Sequence, residues 1–454
     1  MEMQEYNVNQ FIDNSRFSKF HIHLIGLGLF LIAFTGYGAS IYGSILPLIT
    51  KEWNVEPTKL GFVGSVAEFG TMFGALFLSY ISERFGAKKL LISSVLLFSI
   101  FTFAQSMVDN INLFAICRFI AGVGFGGVIP IVISLLTEYA PKNSKSKSVA
   151  IALCGNQVGS IIAPLIAIIV IPQLGWRPVL WMALIPILFL VFVIKYVPES
   201  AQFLLKTNRT KQLKAVLQRI NKEYDQVINV DQILEKNKKN IEENKKISYL
   251  RLFNKDYYVI TILSCLIYIM GLLFINGVII WLPDLMVRSG YPLTSSLAFG
   301  VFLNIGTIAG TATWSVIADK KGFAILLPVI YSIGAISLML LGIKANIVIL
   351  YLLVVLIGFF LFAAHSLVNA FVSQHYPHEI RSTAVGFPNS MGRIGGILGP
   401  IVGGSLLSAN ASISIWFMTF GATGLVAAIS FVIINFTIKR KSADLNKINT
   451  VKNI

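Results

Sequence analysis

Charge is scarce in this 454-residue chain: only 13% of its residues are Asp, Glu, Lys or Arg, while 55% are apolar. A water-soluble globule could not cover itself with so little polar surface. Cysteine is scarcer still. Cys117, Cys154 and Cys265 are an odd number without metal-ligand spacing, which argues against a disulfide framework or a zinc site. All three fall inside apolar runs and read as small packing residues. The chain has no phosphate loop of the GxxxxGK type, no paired metal-ligand motif and no recognisable acid, base and nucleophile trio. No enzyme, ATP-driven pump, cofactor or metal is therefore expected. No cleavable signal is expected either, because about twenty largely polar residues precede the first apolar run and no convincing cleavage site follows.

What the chain has in abundance is apolar runs of about twenty residues, each long enough to cross roughly 30 Å of hydrocarbon as a helix. These predict an all-α membrane protein with twelve spans, near 22–47, 59–81, 88–108, 112–136, 147–171, 175–196, 257–282, 296–316, 323–343, 346–372, 383–407 and 412–438. A net charge of +16 would suggest nucleic acid in a soluble protein, but the cations cluster in particular loops. Arg84, Lys88, Lys89, Lys142, Lys145, Lys147, Lys320, Lys321, Arg381 and the tail cations Lys439, Arg440 and Lys441 share one side with the polar segment 201–253. By the positive-inside rule that side is cytoplasmic, with both termini, and the membrane is the cell's inner one. The expected organisation is a cytoplasmic segment 1–21, a six-helix bundle 22–198, a central loop 199–256 carrying one or two amphipathic helices, a second bundle 257–438 and a tail 439–454.

The sequence repeats itself at a constant offset of 236 residues. Pro47 matches Pro283; SYISERFG from Ser79 matches SVIADKKG from Ser315, so that Glu83 pairs with Asp319 and Gly86 with Gly322. Gly122 pairs with Gly358, Pro141 with Pro377, Gly159 with Gly395 and Pro164 with Pro400. One offset over so much chain implies two parallel six-helix halves related by an axis along the membrane normal, the layout of the major facilitator fold.

SYISERFGAKKLL suits a tight turn at Gly86, with Glu83 and Arg84 placed for charged hydrogen bonds at helix ends. Read functionally, it is a clasp closing the cytoplasmic side in one state, shared with Glu138, Glu199, Asp319 and Arg381; read plainly, it is helix-end solvation. In RFIAGVGFGG, Arg118 lies in hydrocarbon ahead of glycines that allow close helix approach; it is a functional-site candidate that needs a partner or a wet cavity, or it snorkels to the outer surface.

LLTEYAP, WRPVLW, the PES of Pro198 to Ser200, IIWLPDLMVRSGY and HSLVNAFVSQHYPHEIRSTAVGFPNSMGRIGGILGP together resemble the aromatic acid:proton symporter family of the major facilitator superfamily. The resemblance runs from about residue 22 to 436. It implies a carrier that takes up benzoate-like or other small carboxylates with protons. One departure stands out: the family's acidic pair in helix one, in a pattern like DGYD, is replaced by TGYG, with Thr35 and Gly38 at those places. Proton coupling is left without its usual first-helix acid.

Glu68 in helix two, near the depth of Arg118, offers a replacement: it either carries the coupling proton or forms a static bridge to Arg118. Arg393, about ten residues into helix eleven, can meet a solute carboxylate with two parallel hydrogen bonds, or it bridges helices. Its repeat partner is Gln157, beside Asn156. Tyr37 and Tyr42 in helix one, Asn276 in helix seven and His365 and Asn369 in helix ten are further solute-contact candidates or helix ties. Trp281 and Trp314 are weaker candidates for stacking on an aromatic solute. The expected function is proton-linked alternating-access transport of a small organic anion by a monomer embedded in the lipid bilayer, with no nucleic-acid partner. The alternatives are a uniporter or exporter of another metabolite, a sugar or organic cation, and a sensor that keeps the carrier fold without transport.

Overall fold

The computed structural model describes residues 8–221, 249–254, 257–377 and 380–452, with the side chains among them other than those of residues 9, 79, 83, 249, 250, 382, 439 and 441–452. Long helices follow the apolar runs: α1 (Lys19–Trp53), α2 (Pro57–Phe85), α3 (Ala87–Ala104), α4 (Ile111–Tyr139), α5 (Lys145–Leu174) and α6 (Arg177–Tyr196). A second set comprises α7 (Tyr258–Arg288), α8 (Leu293–Lys321), α9 (Phe323–Leu340), α10 (Ile347–Gln374), α11 (Arg381–Ser408) and α12 (Ile413–Lys452). The all-α, twelve-helix class read from the sequence is the observed one. Several helices outrun the predicted spans, α1 to Trp53 and α7 to Arg288, because backbone hydrogen bonding continues after hydropathy ends.

Eleven of these helices are long and apolar enough to cross a membrane on composition alone. The other is α11, whose sequence RSTAVGFPNSMGRIGGILGPIVGGSLLS is diluted by glycines, serines, Pro388, Asn389 and Arg393. A span that gives up lipid affinity in this way must be sheltered by protein. Between Gly358 and Phe362, α10 widens into a π turn before resuming as helix at Ala363.

The chain forms two compact units, 1–41 with 66–245 and 42–65 with 246–454. In the first, the core is built by Leu91, Val95 and Phe98 of α3, Val128, Ile131 and Leu135 of α4 and the aliphatic side of α1. The short helix Val8–Asp13 joins this core through Val8, Phe11 and Ile12, and Lys145 clamps it from α5 with a 2.6 Å ion pair to Asp13. Beyond α6, the helix Thr210–Ile220 presses Leu213, Val216, Leu217 and Ile220 into the same core. It is the amphipathic element expected in the central loop; the mixed-charge stretch after it, 222–248, lies outside the described residues.

The second unit includes the end of α1 and the start of α2. Tyr42 donates to the carbonyl of Leu60 (2.8 Å), Ser65 to that of Ile397 (2.5 Å), and the Thr58 hydroxyl to Ser408 Oγ (2.8 Å). Gly61 lies so close to α11 that a Cβ would strike the Pro400 carbonyl, and Gly43 likewise meets the Ile279 carbonyl of α7. Ridges of small residues let backbones touch where hydrocarbon supplies no hydrophobic drive for association.

The 236-residue offset recurs in the packing of each unit. In the first, Gly70 is crowded by the Phe119 carbonyl and Val123 amide, and Gly122 by the Ala67 carbonyl; in the second, Gly306 meets the Val355 carbonyl and Phe359 amide, and Gly358 the Leu303 carbonyl. Gly159 rests on the Ala33 carbonyl and Gly395 on that of Ile269. Every participant has its counterpart at the same offset.

Candidate functional site

In the first unit the polar residues predicted on α1 and α5 are drawn together. Asn156 Nδ2 donates to Thr35 Oγ1 (3.1 Å), and the Thr35 hydroxyl donates to the Ile32 carbonyl (2.7 Å). The crossing is tight because Gly36 has no side chain to meet the Asn156 carbonyl. Gln157, the next residue, is half-buried. Tyr37 is buried and donates to the Val179 carbonyl of α6 (2.6 Å), which makes it a tie between helices. At the other vacated acid position, Gly38 faces the ring of Phe125, which stacks on Phe98 at 4.7 Å.

Glu68 and Arg118 stand beside the α2–α4 crossing, where Gly70 and Gly122 let the backbones meet and Phe69 packs on Phe119 at 6.1 Å. Arg118 is buried and Glu68 half-buried, and both are engaged in interactions.

In the second unit, α7, α9 and α10 bring four polar side chains into one cluster. Tyr268 donates to Asn369 Oδ1 (2.5 Å), while the Tyr331 hydroxyl lies 3.0 Å from His365 Nδ1. The Tyr268 and His365 rings meet edge to face at 5.7 Å. His365 fits against α7 because Gly271 leaves room for its imidazole. On the other side of Tyr268, a Cβ at Gly392 of α11 would lie 2.9 Å from the Tyr268 Cβ, so Arg393 follows directly after this close approach. Arg393 is half-buried and engaged, and Asn276 is half-buried about two turns beyond Tyr268 on α7. Trp281 is fully buried, with its indole N–H on the Pro400 carbonyl (3.0 Å), and Trp314 donates to the Phe359 carbonyl (2.9 Å); both have packing roles. Tyr42 is likewise buried and tied to Leu60. Tyr268 and Tyr331 were not among the sequence candidates, since a tyrosine inside an apolar run reads as packing.

The clasp residues divide. Gly86 turns at φ +98°, and its missing side chain makes space for the Glu199 carboxylate, which accepts from the Lys88 backbone N–H (3.0 Å) at the start of α3. Glu138 accepts from Ser200 Oγ (3.0 Å) and from the Gln202 N–H (2.7 Å), at the start of the helix Ala201–Lys206. Two carboxylates thus sit on two helix N-termini, where partial positive charge favours them. Tyr139 completes the knot by donating to the Glu199 carbonyl. Arg84 is exposed and lies over the Tyr80 ring at 5.7 Å, and the Glu83 side chain is outside the described ones. Asp319 and Arg381 are exposed in the second unit. There Asn435 takes the place of Glu199 in the repeat and donates to the carbonyl of Ala324, the counterpart of Lys88.

A duplicated bundle of spanning helices with buried polar clusters, and with Glu138 and Glu199 set on helix ends, defines a multi-pass membrane transporter, not an enzyme. The chain belongs to the Major Facilitator Superfamily, whose family model matches residues 28–400 and 305–452. It is 33% identical over 437 residues to the benzoate transport protein of Acinetobacter baylyi, covering 95% of this chain and 93% of that one. It is 29% identical to the gentisate transporter of Corynebacterium glutamicum, over 90% of this chain and 86% of the other. Among solved structures, the xylose transporter of E. coli aligns with a TM-score of 0.71 at 19% identity, over 91% of this chain and 97% of that one, a likeness of fold. The resemblance to the aromatic-acid branch of the superfamily therefore holds.

Proposed function

We propose that this chain is a secondary active transporter that carries a small aromatic carboxylate across the inner membrane by alternating access, coupled to protons. The observation carrying this reading is the 33% identity, along nearly the whole chain, to a benzoate transport protein. Arg393 supplies the charge that a carboxylate needs. Gly392 beside it packs on Tyr268, whose hydroxyl holds the Asn369 amide and whose ring meets His365 edge to face, so a polar and aromatic cluster lies next to it. A guanidinium reads both carboxylate oxygens at once, which an ammonium does not. Gln157 and Asn156, at the matching depth of the first half, are the polar contacts on the other repeat, with Asn276 and Asn369 completing the set. The halves 22–198 and 257–438 rock as bodies, each chain working as a monomer with both termini in the cytoplasm. Glu138, Glu199, Glu83, Arg84, Asp319 and Arg381 hold the cytoplasmic side in its closed state.

Thr35 and Gly38 favour a second reading, uniport or exchange without protons, because neither first-helix position can titrate. Uptake of labelled benzoate into proteoliposomes tests both. Accumulation against a gradient that depends on an imposed pH difference supports symport; counterflow exchange indifferent to pH supports the second reading; no exchange of benzoate or related acids overturns the substrate class. Arg393→Lys should raise the KM for benzoate about tenfold or more, the loss expected for a charged hydrogen bond. Binding of neutral benzamide should change far less, and equal losses for both would return Arg393 to a structural role.

A further inference from the structure

At the basic end of the first unit, a cavity of about 650 Å³ opens between the start of α1, the end of α6 and the helix Thr210–Ile220. Phe20, His23, Tyr196, Gln218, Arg219 and Ile220 line it. None of these residues belongs to the polar clusters described above. Their arrangement is built, not incidental. His23 anchors Nδ1 on the Lys19 carbonyl (2.6 Å) and lays its ring flat on Tyr196, with centroids 4.7 Å apart and planes within 5°. Arg219 is fixed from the other wall by a 2.9 Å hydrogen bond to the Lys195 carbonyl. Lys88 reaches the adjoining Ile194 carbonyl (2.5 Å), and the Lys195 ammonium sits 5.3 Å from the centre of the Tyr196 ring.

Three cations therefore converge on the last turn of α6. Two of them cap its carbonyls, and the carboxylate nearest to Lys88, Glu199, is already committed to the N-terminus of α3. The surface running away from the cavity along α6 is apolar and bare: Leu188, Val191, Phe192 and Ile194 are all exposed, Leu188 by 72% and Val191 by 67%. An aromatic ladder follows the same edge, from Phe30 to Phe189 (4.3 Å), Phe192 (5.5 Å), Tyr196 (6.5 Å) and His23.

We propose that this cavity seats the phosphate headgroup of an anionic phospholipid, whose acyl chains run down the exposed face of α6. Arg219 in the lining, with Lys88 and Lys195 on the adjoining turn of α6, explains an anion. Continuity with a strip of exposed apolar side chains on a membrane-spanning helix explains why the anion carries hydrocarbon. Because Arg219 lies on the segment that follows α6 and Phe20 and His23 on α1, the lipid fastens that segment to the bundle.

Native mass spectrometry of the full chain tests this. Protein stripped of lipid in detergent is titrated with phosphatidylglycerol or with phosphatidylcholine of identical chains, each with and without millimolar inorganic phosphate. Wild type should hold phosphatidylglycerol at least tenfold more tightly than phosphatidylcholine, and inorganic phosphate should not displace it. Arg219→Gln should weaken phosphatidylglycerol about fivefold, the effect of one cation at a membrane surface, and leave phosphatidylcholine unchanged. Lys195→Gln, which removes no backbone cap, should weaken it to a similar extent and serves if the first variant does not fold. Equal affinity for the two lipids, no effect of either variant, or displacement by inorganic phosphate would overturn the proposal, the last by reassigning the cavity to a soluble anion.

Discussion

The ring of Phe125 occupies the space that a side chain at Gly38 would need: a Cβ there would lie 2.6 Å from Cε2 and 2.9 Å from Cε1. One carboxylate position of the family's first-helix pattern is thus filled from α4, and the other, Thr35, is consumed by Asn156 and Ile32. Both positions of helix one are taken up by packing and hydrogen bonding.

Restoring the acid should therefore harm the protein. Gly38→Asp is expected to cost about 1–3 kcal/mol from overpacking alone, more if the carboxylate stays charged. Phe125→Ala in the same chain should recover part of the loss in the thermal midpoint. A Gly38→Asp protein as stable as wild type would show that α4 yields readily.

Two half-buried or buried carboxylates lie in the described spanning helices away from the helix-end pairs, Glu68 on α2 and Asp284 on α7, and Asp284 is held by Arg288 at 2.6 Å, which leaves Glu68 the candidate for coupling. Under the symport reading, Glu68→Gln should abolish the dependence of uptake rate on pH while counterflow persists. Unchanged proton dependence across a pH series would remove Glu68 from coupling and leave it a structural partner at the α2–α4 crossing.

Gly86 and Glu199 form one device. Gly86→Ala forces a side chain into a φ of +98° and against the Glu199 carboxylate, whereas Glu199→Gln keeps the shape and removes the charge from the N-terminus of α3. Losing such an N-terminal interaction costs about 0.5–2 kcal/mol. Gly86→Ala should lower the thermal midpoint more than Glu199→Gln, and the double variant should fall short of the sum because the two residues touch.

The seam within the second unit can be stapled. With Cys117, Cys154 and Cys265 replaced by serine or alanine, Thr58→Cys with Ser408→Cys should form a disulfide on mild oxidation, since the native hydroxyls are 2.8 Å apart. If alternating access requires α2 to part from α11 here, oxidised protein should stop transporting and reductant should restore it. Full activity of the cross-linked protein would mean this seam stays closed throughout the cycle.

His375, just past α10, has its pKa lowered by burial, opposed by its hydrogen bond to the Phe371 carbonyl (2.7 Å). The unfolded chain then takes up this proton first as pH falls through about 6.5, so the contribution is full above that pH and is lost below it. His375→Gln should flatten the decline of the thermal midpoint between neutral and acid pH; an unaltered decline would assign it to other groups.

Hydropathy and the repeat made the fold legible together. The apolar runs placed a span at 383–407 although α11 is diluted by polar residues, and Gly395 and Pro400 align it with Gly159 and Pro164 of α5. Legibility ended at contacts that depend on distant chain. That Glu199 would land on Lys88, or Phe125 on Gly38, is encoded in no local pattern. Tyr268 and Tyr331 stayed hidden because only the folded helices reveal that one hydroxyl meets Asn369 and the other His365. Arg393 stands out in the sequence as a cation inside a predicted span, and the structure places it half-buried beside the Gly392–Tyr268 contact.

At the crossing of α2 and α4, main chain touches main chain, with no long side chains between to pivot or re-register. Such a joint has no gears. Backbones this close leave the two helices no side-chain cushion on which to slide, and the joint of α8 with α10 repeats the arrangement in the other repeat.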